Sequence, residues 1–151
     1  PTKLLTIAVA AIALLLSSSI RAEAVSGKEY QAVINTAFNY FNGVANGDQA
    51  LLAKAFDQNI GHIKSIRKDK ETGKEFIDSV PLTTFAGYFK EATKDTWKAD
   101  VLSVDIVDDK MAMVKLSFET SKTHYVDYLV MYKLDNHWRI INKTYVANKK
   151  S

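Results

Sequence analysis

The stretch Tyr125–Lys143, YVDYLVMYKLDNHWRIINK, sets the tightest limit on what this chain can fold into. It reads as two long strands joined by a tight turn at Asp135-Asn136. Side chains alternate across a strand, so Tyr125, Asp127, Leu129 and Met131 share one face of the first strand. Val126, Tyr128, Val130 and Tyr132 share the other. A strand with one solvated face alternates apolar with polar residues. Here both faces are apolar, so the hairpin is expected at the centre of a sheet that is covered on both sides.

The whole chain, hairpin included, is long enough for one ordinary domain and an N-terminal segment. Of its 151 residues, 47% are hydrophobic and 25% charged, the balance of a globular protein and not of a disordered one. Two prolines and six glycines leave little material for an interdomain linker. The absence of cysteine excludes disulfides, thiolate metal sites, cysteine nucleophiles and a cysteine-borne lipid anchor.

Residues 1–24 have the layout of a secretory signal peptide. Lys3 provides a small positive n-region, Leu4 to Leu16 an apolar core, and Ser17-Ser18-Ser19 a polar break. Ala22-Glu23-Ala24 then fits the small-x-small cleavage pattern, with Val25 as the expected mature N-terminus. The apolar run, about 13 residues, is short for a membrane span. The expectation is export to a bacterial periplasm or the extracellular space, with no stable membrane insertion after cleavage. Without residues 1–24, and so without Lys3, Arg21 and Glu23, 18 basic and 16 acidic residues remain from 20 and 17. These charges are interleaved, as in Lys68-Asp69-Lys70-Glu71, and form no basic stripe, which excludes nucleic acid as the expected partner.

The body of the chain, residues 25–151, reads as a single domain. Ser26 and Glu29 form a capping box at the start of a helix, followed by Tyr30, Val33, Ile34, Ala37, Phe38 and Phe41 at helical spacing. Gly43 and Asn46-Gly47 end it, and Asp48 caps a second, short helix with Leu51, Leu52, Ala55 and Phe56 inward. A strand is predicted over Asn59–Arg67 and a returning one over Glu75–Val80. Pro81 suits the first turn of a third helix with Leu82, Phe85, Ala86 and Phe89 as its apolar stripe. Lys98–Val107, Met111–Thr120, Thr123–Leu134 and His137–Ala147 then form an antiparallel meander with very short turns. The fold class is α+β, with helices on one face of a curved sheet.

This order of elements resembles the nuclear transport factor 2-like (NTF2-like) superfamily, a cone-shaped α+β fold shared with ketosteroid isomerases, scytalone dehydratases and polyketide cyclases. Within it, the sequence is most similar to the family labelled "putative lumazine-binding", NTF2-like proteins of unknown function. The residues that carry the resemblance are Gly47-Asp48, Ala55-Phe56, Trp97-Lys98-Ala99-Asp100, Val104-Asp105-Ile106, Tyr125-Val126-Asp127-Tyr128-Leu129, Lys133 and Trp138-Arg139-Ile140-Ile141-Asn142-Lys143. The resemblance implies three N-terminal helices on a strongly curved, mostly antiparallel sheet, with a pocket between them. It also implies a homodimer through the outer sheet face, which the two-sided apolar hairpin independently favours. Folds of this kind host many chemistries, so the resemblance does not choose a reaction.

Several residues could line or serve that pocket. His62 lies on the early strand, near where the related isomerases and dehydratases place a catalytic group, and imidazole is a natural general base at neutral pH. Tyr125 and Asp127 share a strand face about 7 Å apart, so a carboxylate base and a phenol donor could act together. Tyr40, Tyr88 and Trp97, with Tyr30 and Trp138, offer aromatic surface for a flat ligand. Each also has a plainer reading: His62 on an ordinary strand face, Asp127 as a structural carboxylate, the aromatics as core. Trp138 is expected in the core with Ile140 under the first helix, and Asp100 and Asp105 on solvated strand faces.

The three histidines lack metal-ligand spacing, and no nucleophile elbow, phosphate loop or dinucleotide fingerprint is present. No cofactor or metal is expected. Three readings follow: an exported module that binds a small, flat or apolar molecule; a cofactor-free isomerase, dehydratase or cyclase using His62 or Asp127 as base and Tyr125 as donor; and a protein-docking domain whose pocket is vestigial. The first needs only a pocket, and it is preferred for that reason.

Overall fold

The computed structural model describes residues 26–151, so the predicted signal segment lies outside the described residues. Helix α1 spans Gly27–Asn46 and α2 spans Gln49–Ala55. Strands β1 (His62–Lys68) and β2 (Glu75–Pro81) form a hairpin, α3 covers Leu82–Ala86, and β3 (Lys98–Val107), β4 (Met111–Glu119), β5 (Thr123–Leu134) and β6 (His137–Lys149) complete the chain. The six strands lie in the order β2-β1-β6-β5-β4-β3. Every neighbouring pair is antiparallel except β1 and β6, which run parallel from His62↔Asn142 to Ser65↔Tyr145. The meander is therefore as the sequence predicts, and the early hairpin joins it through β6, giving a mixed sheet.

Helix α1 begins at Ser26, whose hydroxyl accepts from the Glu29 amide at 3.3 Å. The expected capping box is only half formed, because the Glu29 carboxylate is used elsewhere. It accepts from Lys133 Nζ at 2.8 Å and from Trp138 Nε1 at 2.9 Å, tying the helix to β5 and β6. The helix buries Val33, Thr36, Ala37, Tyr40, Gly43 and Val44, a face rotated from the stripe that hydrophobicity alone selects, and leaves Tyr30 exposed. Gly47 closes it in the left-handed region at φ 66°, and Asp48 caps α2 by accepting from the amides of Ala50 and Leu51.

The third helix is one short turn, ending at Ala86 well before Phe89. Among the described residues, three helices precede the meander, as expected, but only α1 is long, and the third is shorter than its predicted stripe to Phe89. Beyond Gly87 the backbone leaves the helical path, and residues 90–97 run without helix or strand to β3. This segment is pinned to the end of α1 by the Thr93 amide, which donates to the Ala45 carbonyl at 2.8 Å.

The core lies between α1, α2, α3 and one face of the sheet, where Leu129, Met131, Leu116, Val114 and Ile140 have no exposed surface. Trp138 is buried beside them, as expected. The turns at Asp108-Asp109 and Asp135-Asn136 take left-handed φ values of 48° to 62° at all four residues. The opposite face of the sheet is not covered by the described residues: Tyr128, Tyr132, Val146, Ile66 and Ile77 are all exposed there. No described helix is long and apolar enough to cross a membrane.

Candidate functional site

The covered face of β5 puts a carboxylate at the centre of the core. Asp127 is wholly buried between Tyr125 and Leu129 on its strand. Burial of an unpaired charge is very unfavourable, so partners are required. Tyr40, from α1, donates its hydroxyl to Asp127 Oδ2 at 2.9 Å. Lys143, from β6, brings its ammonium to 3.1 Å from Oδ1, and its side chain is only 4% exposed. The approach is within ion-pairing distance but off the hydrogen-bonding angle, and Oδ1 has no hydrogen-bond donor among the described residues.

Aromatic rings surround the lysine. Its Nζ stands 4.0 Å from the centre of the Tyr145 ring, 5.6 Å from Tyr40 and 5.7 Å from Phe85. Ring faces attract a cation, which partly replaces the lost water. Burial pushes the Asp127 carboxyl up, against the opposing pull of Lys143 and the Tyr40 hydroxyl. Burial also pushes the Lys143 ammonium down, against the pull of Asp127. The Tyr40 phenol is driven well above its usual range, first by burial and then by the neighbouring carboxylate.

Lys143 forms the polar floor of a cavity of about 170 Å3. Its walls are Trp97, Phe118, Tyr125 and Tyr145 with Phe85 and Phe89, and Lys143 is the one charged side chain on it. Phe118 stacks on Tyr125 at 5.5 Å and meets Trp97 edge-on at 5.2 Å, so the wall is a continuous aromatic surface. Trp97 is oriented by Asp95, whose Oδ2 accepts from the indole at 3.2 Å and from the Ser121 amide and hydroxyl at 3.0 Å each. A second hollow of about 230 Å3 shares the Ile63, Phe85 and Tyr145 walls and opens past Tyr88.

The predicted site residues divide accordingly. Tyr125 and Trp97 line the cavity, Tyr40 reaches it from the helix side, and Asp127 lies beneath it, behind Lys143. Tyr88 is two-thirds exposed and borders the second hollow but not the cavity above Lys143. His62 is not in this site. Its neighbour Ile63 faces the cavity, so alternation sends His62 to the opposite side of the sheet, with Nδ1 at 2.9 Å from the Ile60 carbonyl. A site joining His62 to Asp127 is therefore not formed.

Lys143 is the residue that sequence reasoning missed. Strict alternation puts it opposite Ile140 and Trp138, which are core. A β-bulge at Ile141 changes this: Met131 pairs with Ile140 and Val130 with Asn142, so one residue of β6 is left over. Beyond the bulge, Lys143 and Tyr145 turn to the same face as Trp138 and Ile140.

Residues 28–146 match the family model described as "Putative lumazine-binding". Among solved structures, the chain is similar to an NTF2-like protein of unknown function from Methylobacillus flagellatus, with TM-score 0.68 and 20% identity over 83% of this chain and 96% of that one. A second such protein, from Shewanella baltica, gives TM-score 0.67 and 19% identity over 82% and 96%. A ketosteroid isomerase-like protein from Erwinia carotovora atroseptica gives TM-score 0.57 and 11% identity over 83% and 99%. At these identities the likeness concerns the fold. No curated protein matches the sequence.

Proposed function

The chain belongs to the NTF2-like family described as "Putative lumazine-binding", and from that premise we propose that it holds one small, flat, electrically neutral molecule in the cavity above Lys143. The observation that carries this reading is the aromatic chamber of Trp97, Phe118, Tyr125 and Tyr145 with a single charged group, Lys143, on its wall. Mostly aromatic walls with a few polar groups are the composition of a ligand site.

Size narrows the class. The chamber's 170 Å3 is close to the roughly 150 Å3 in which an apolar protein cavity takes up benzene. A single substituted ring fits; a bicyclic ring such as lumazine needs the second hollow as well. Charge narrows it further. Asp127 and Lys143 already neutralise each other, so a charged ligand would leave a net charge in the core. A neutral ring with a carbonyl or hydroxyl oxygen for the Lys143 ammonium meets both conditions.

The domain is read as acting after export, with residues 1–24 as its secretory signal, in a periplasm or outside the cell. It is also read as a homodimer joined through the outer sheet face, where Ile66, Ile77, Tyr128 and Val146 surround a hollow of about 310 Å3. Titration with benzamide, benzyl alcohol, benzoate and benzylamine, followed by tryptophan fluorescence, tests the pocket. The neutral pair should bind and the charged pair should not. Equal binding of all four, or of none, rejects the reading.

One observation favours a second reading, proton transfer without a cofactor. Burial raises the Asp127 carboxyl beside a cavity that Tyr125 also lines. Asp127 lies behind Lys143, however, so a proton would have to pass through the lysine. Loss of exchange of a ligand's acidic C–H in Lys143→Met, with binding retained, would support it.

A further inference from the structure

We propose that Lys143 captures a small aromatic aldehyde or ketone covalently, as an iminium held against the Asp127 carboxylate. The inference rests on the ligand-binding reading of the same cavity and adds a bond to it. Lys143 is the one amine on the cavity wall, and Asp127 Oδ1 stands 3.1 Å from its nitrogen with no hydrogen-bond donor of its own.

The charge count is what makes the covalent step favourable for so buried a pair. A neutral carbonyl compound adds no charge on entering. When the ammonium becomes an iminium, one positive charge replaces another on the same nitrogen, and Asp127 remains its counter-ion. The Tyr145 ring at 4.0 Å serves either cation equally.

The step balances within the pair. The ammonium proton first crosses to Asp127, a transfer that burial assists because it disfavours both charges. The freed amine attacks the carbonyl carbon; the C–N bond forms and the carbonyl π bond breaks. A proton moves from nitrogen to oxygen to give the carbinolamine. Asp127 then returns its proton to the nitrogen, which relays it to the hydroxyl; the C–O bond breaks, water leaves, and the nitrogen lone pair closes the C=N bond. Lysine ammonium and carbonyl compound have become iminium and water, with Asp127 a carboxylate again. Lysine amines form such adducts when desolvation in an apolar pocket lowers their basicity, as burial does for Lys143.

The test uses the exported full chain, low benzaldehyde and cyanoborohydride, followed by peptide mapping. The trapped amine is heavier than lysine by the aldehyde less one oxygen atom. A positioned acid accelerates such steps by about a hundredfold or more, so Lys143 should label at least about tenfold faster than any exposed lysine. Labelling confined to exposed lysines overturns the proposal. Benzamide and benzyl alcohol, which share the shape and form no iminium under these conditions, separate the two readings. If they bind and Lys143 stays unlabelled, the covalent step fails and the pocket stands. If nothing binds and nothing labels, both fail. In Lys143→Arg the adduct should vanish while surface labelling persists, and in Asp127→Asn labelling of Lys143 should slow about tenfold or more; unchanged labelling in Asp127→Asn removes the acid from the mechanism.

Discussion

Lys143 Nζ lies 3.1 Å from Asp127 Oδ1, with the two side chains only 4% and 0% exposed. Removing one partner of such a pair leaves the other charged and unsolvated, a loss of about 3–5 kcal/mol. Asp127→Leu and Lys143→Met should each lower the unfolding free energy by an amount in that range. Asp127→Leu with Lys143→Met should cost clearly less than the two singles together, since no charge is left behind. Denaturant unfolding of the four proteins measures the coupling, and strict additivity would show that the pair is not coupled.

Glu29 gives the pH dependence its sign. Hydrogen bonds from Lys133 and then Trp138 hold its carboxyl below the usual glutamate range, with burial opposing them. The unfolded chain therefore takes up this proton at a higher pH than the folded protein does. Between those two values the unfolded state carries more protons, so stability falls as pH falls. The contribution is complete above the ordinary glutamate value of about 4.3 and is lost as the pH drops through the lower folded value. Glu29→Gln should be less stable at neutral pH and show a shallower acid limb in unfolding midpoints. An unchanged acid limb would mean that the Lys133 and Trp138 bonds contribute nothing.

Much of this architecture can be read from residue order. The meander follows from long two-sided strands separated by Asp-Asp and Asp-Asn turns, and the structure places turns there with left-handed φ values. Ser26, Asp48 and Gly47 mark the helix ends, because caps act within a few residues. The site is legible only in part, and the reason is register. Alternation sorted Tyr125 and Asp127 onto one face, and they do share it. It could not see the extra residue at Ile141, and one bulge moves Lys143 from the outer face to the floor of the cavity. The same rule, applied to β1, separates His62 from Ile63 and removes the histidine from the cavity.

That separation makes His62 a useful control. His62→Ala should change the affinity for a cavity ligand by less than about twofold, because distant, unshared positions act independently. Isothermal titration of the two proteins with benzamide decides it. A large loss would place the ligand on the other side of the sheet.

Trp97 should report occupancy. It lines the cavity, whereas Trp138 is sealed against Glu29 beneath α1. A ligand-induced fluorescence change should survive Trp138→Phe and disappear in Trp97→Phe. Asp95→Ala frees the indole from its acceptor and should weaken binding by about tenfold, the scale of one lost aromatic contact. Persistence of the signal without Trp97 would move the ligand elsewhere.

The uncovered face of the sheet leads to the last prediction. Ile66 and Ile77 sit directly opposite each other on β1 and β2, 63% and 73% exposed, and Val146 on β6 is 55% exposed. Such a contiguous apolar patch on a globular chain marks a contact surface. In a two-fold dimer each residue enters the interface twice, so one substitution places two new charges there. Ile77→Lys should therefore convert a dimer to a monomer, read as a halved mass by light scattering. Its cavity affinity should stay within about twofold of the parent, since the altered side chain lies across the sheet from Lys143. A parent chain that runs as a monomer at every concentration would remove the dimer. A variant that stays dimeric would place the interface on another surface.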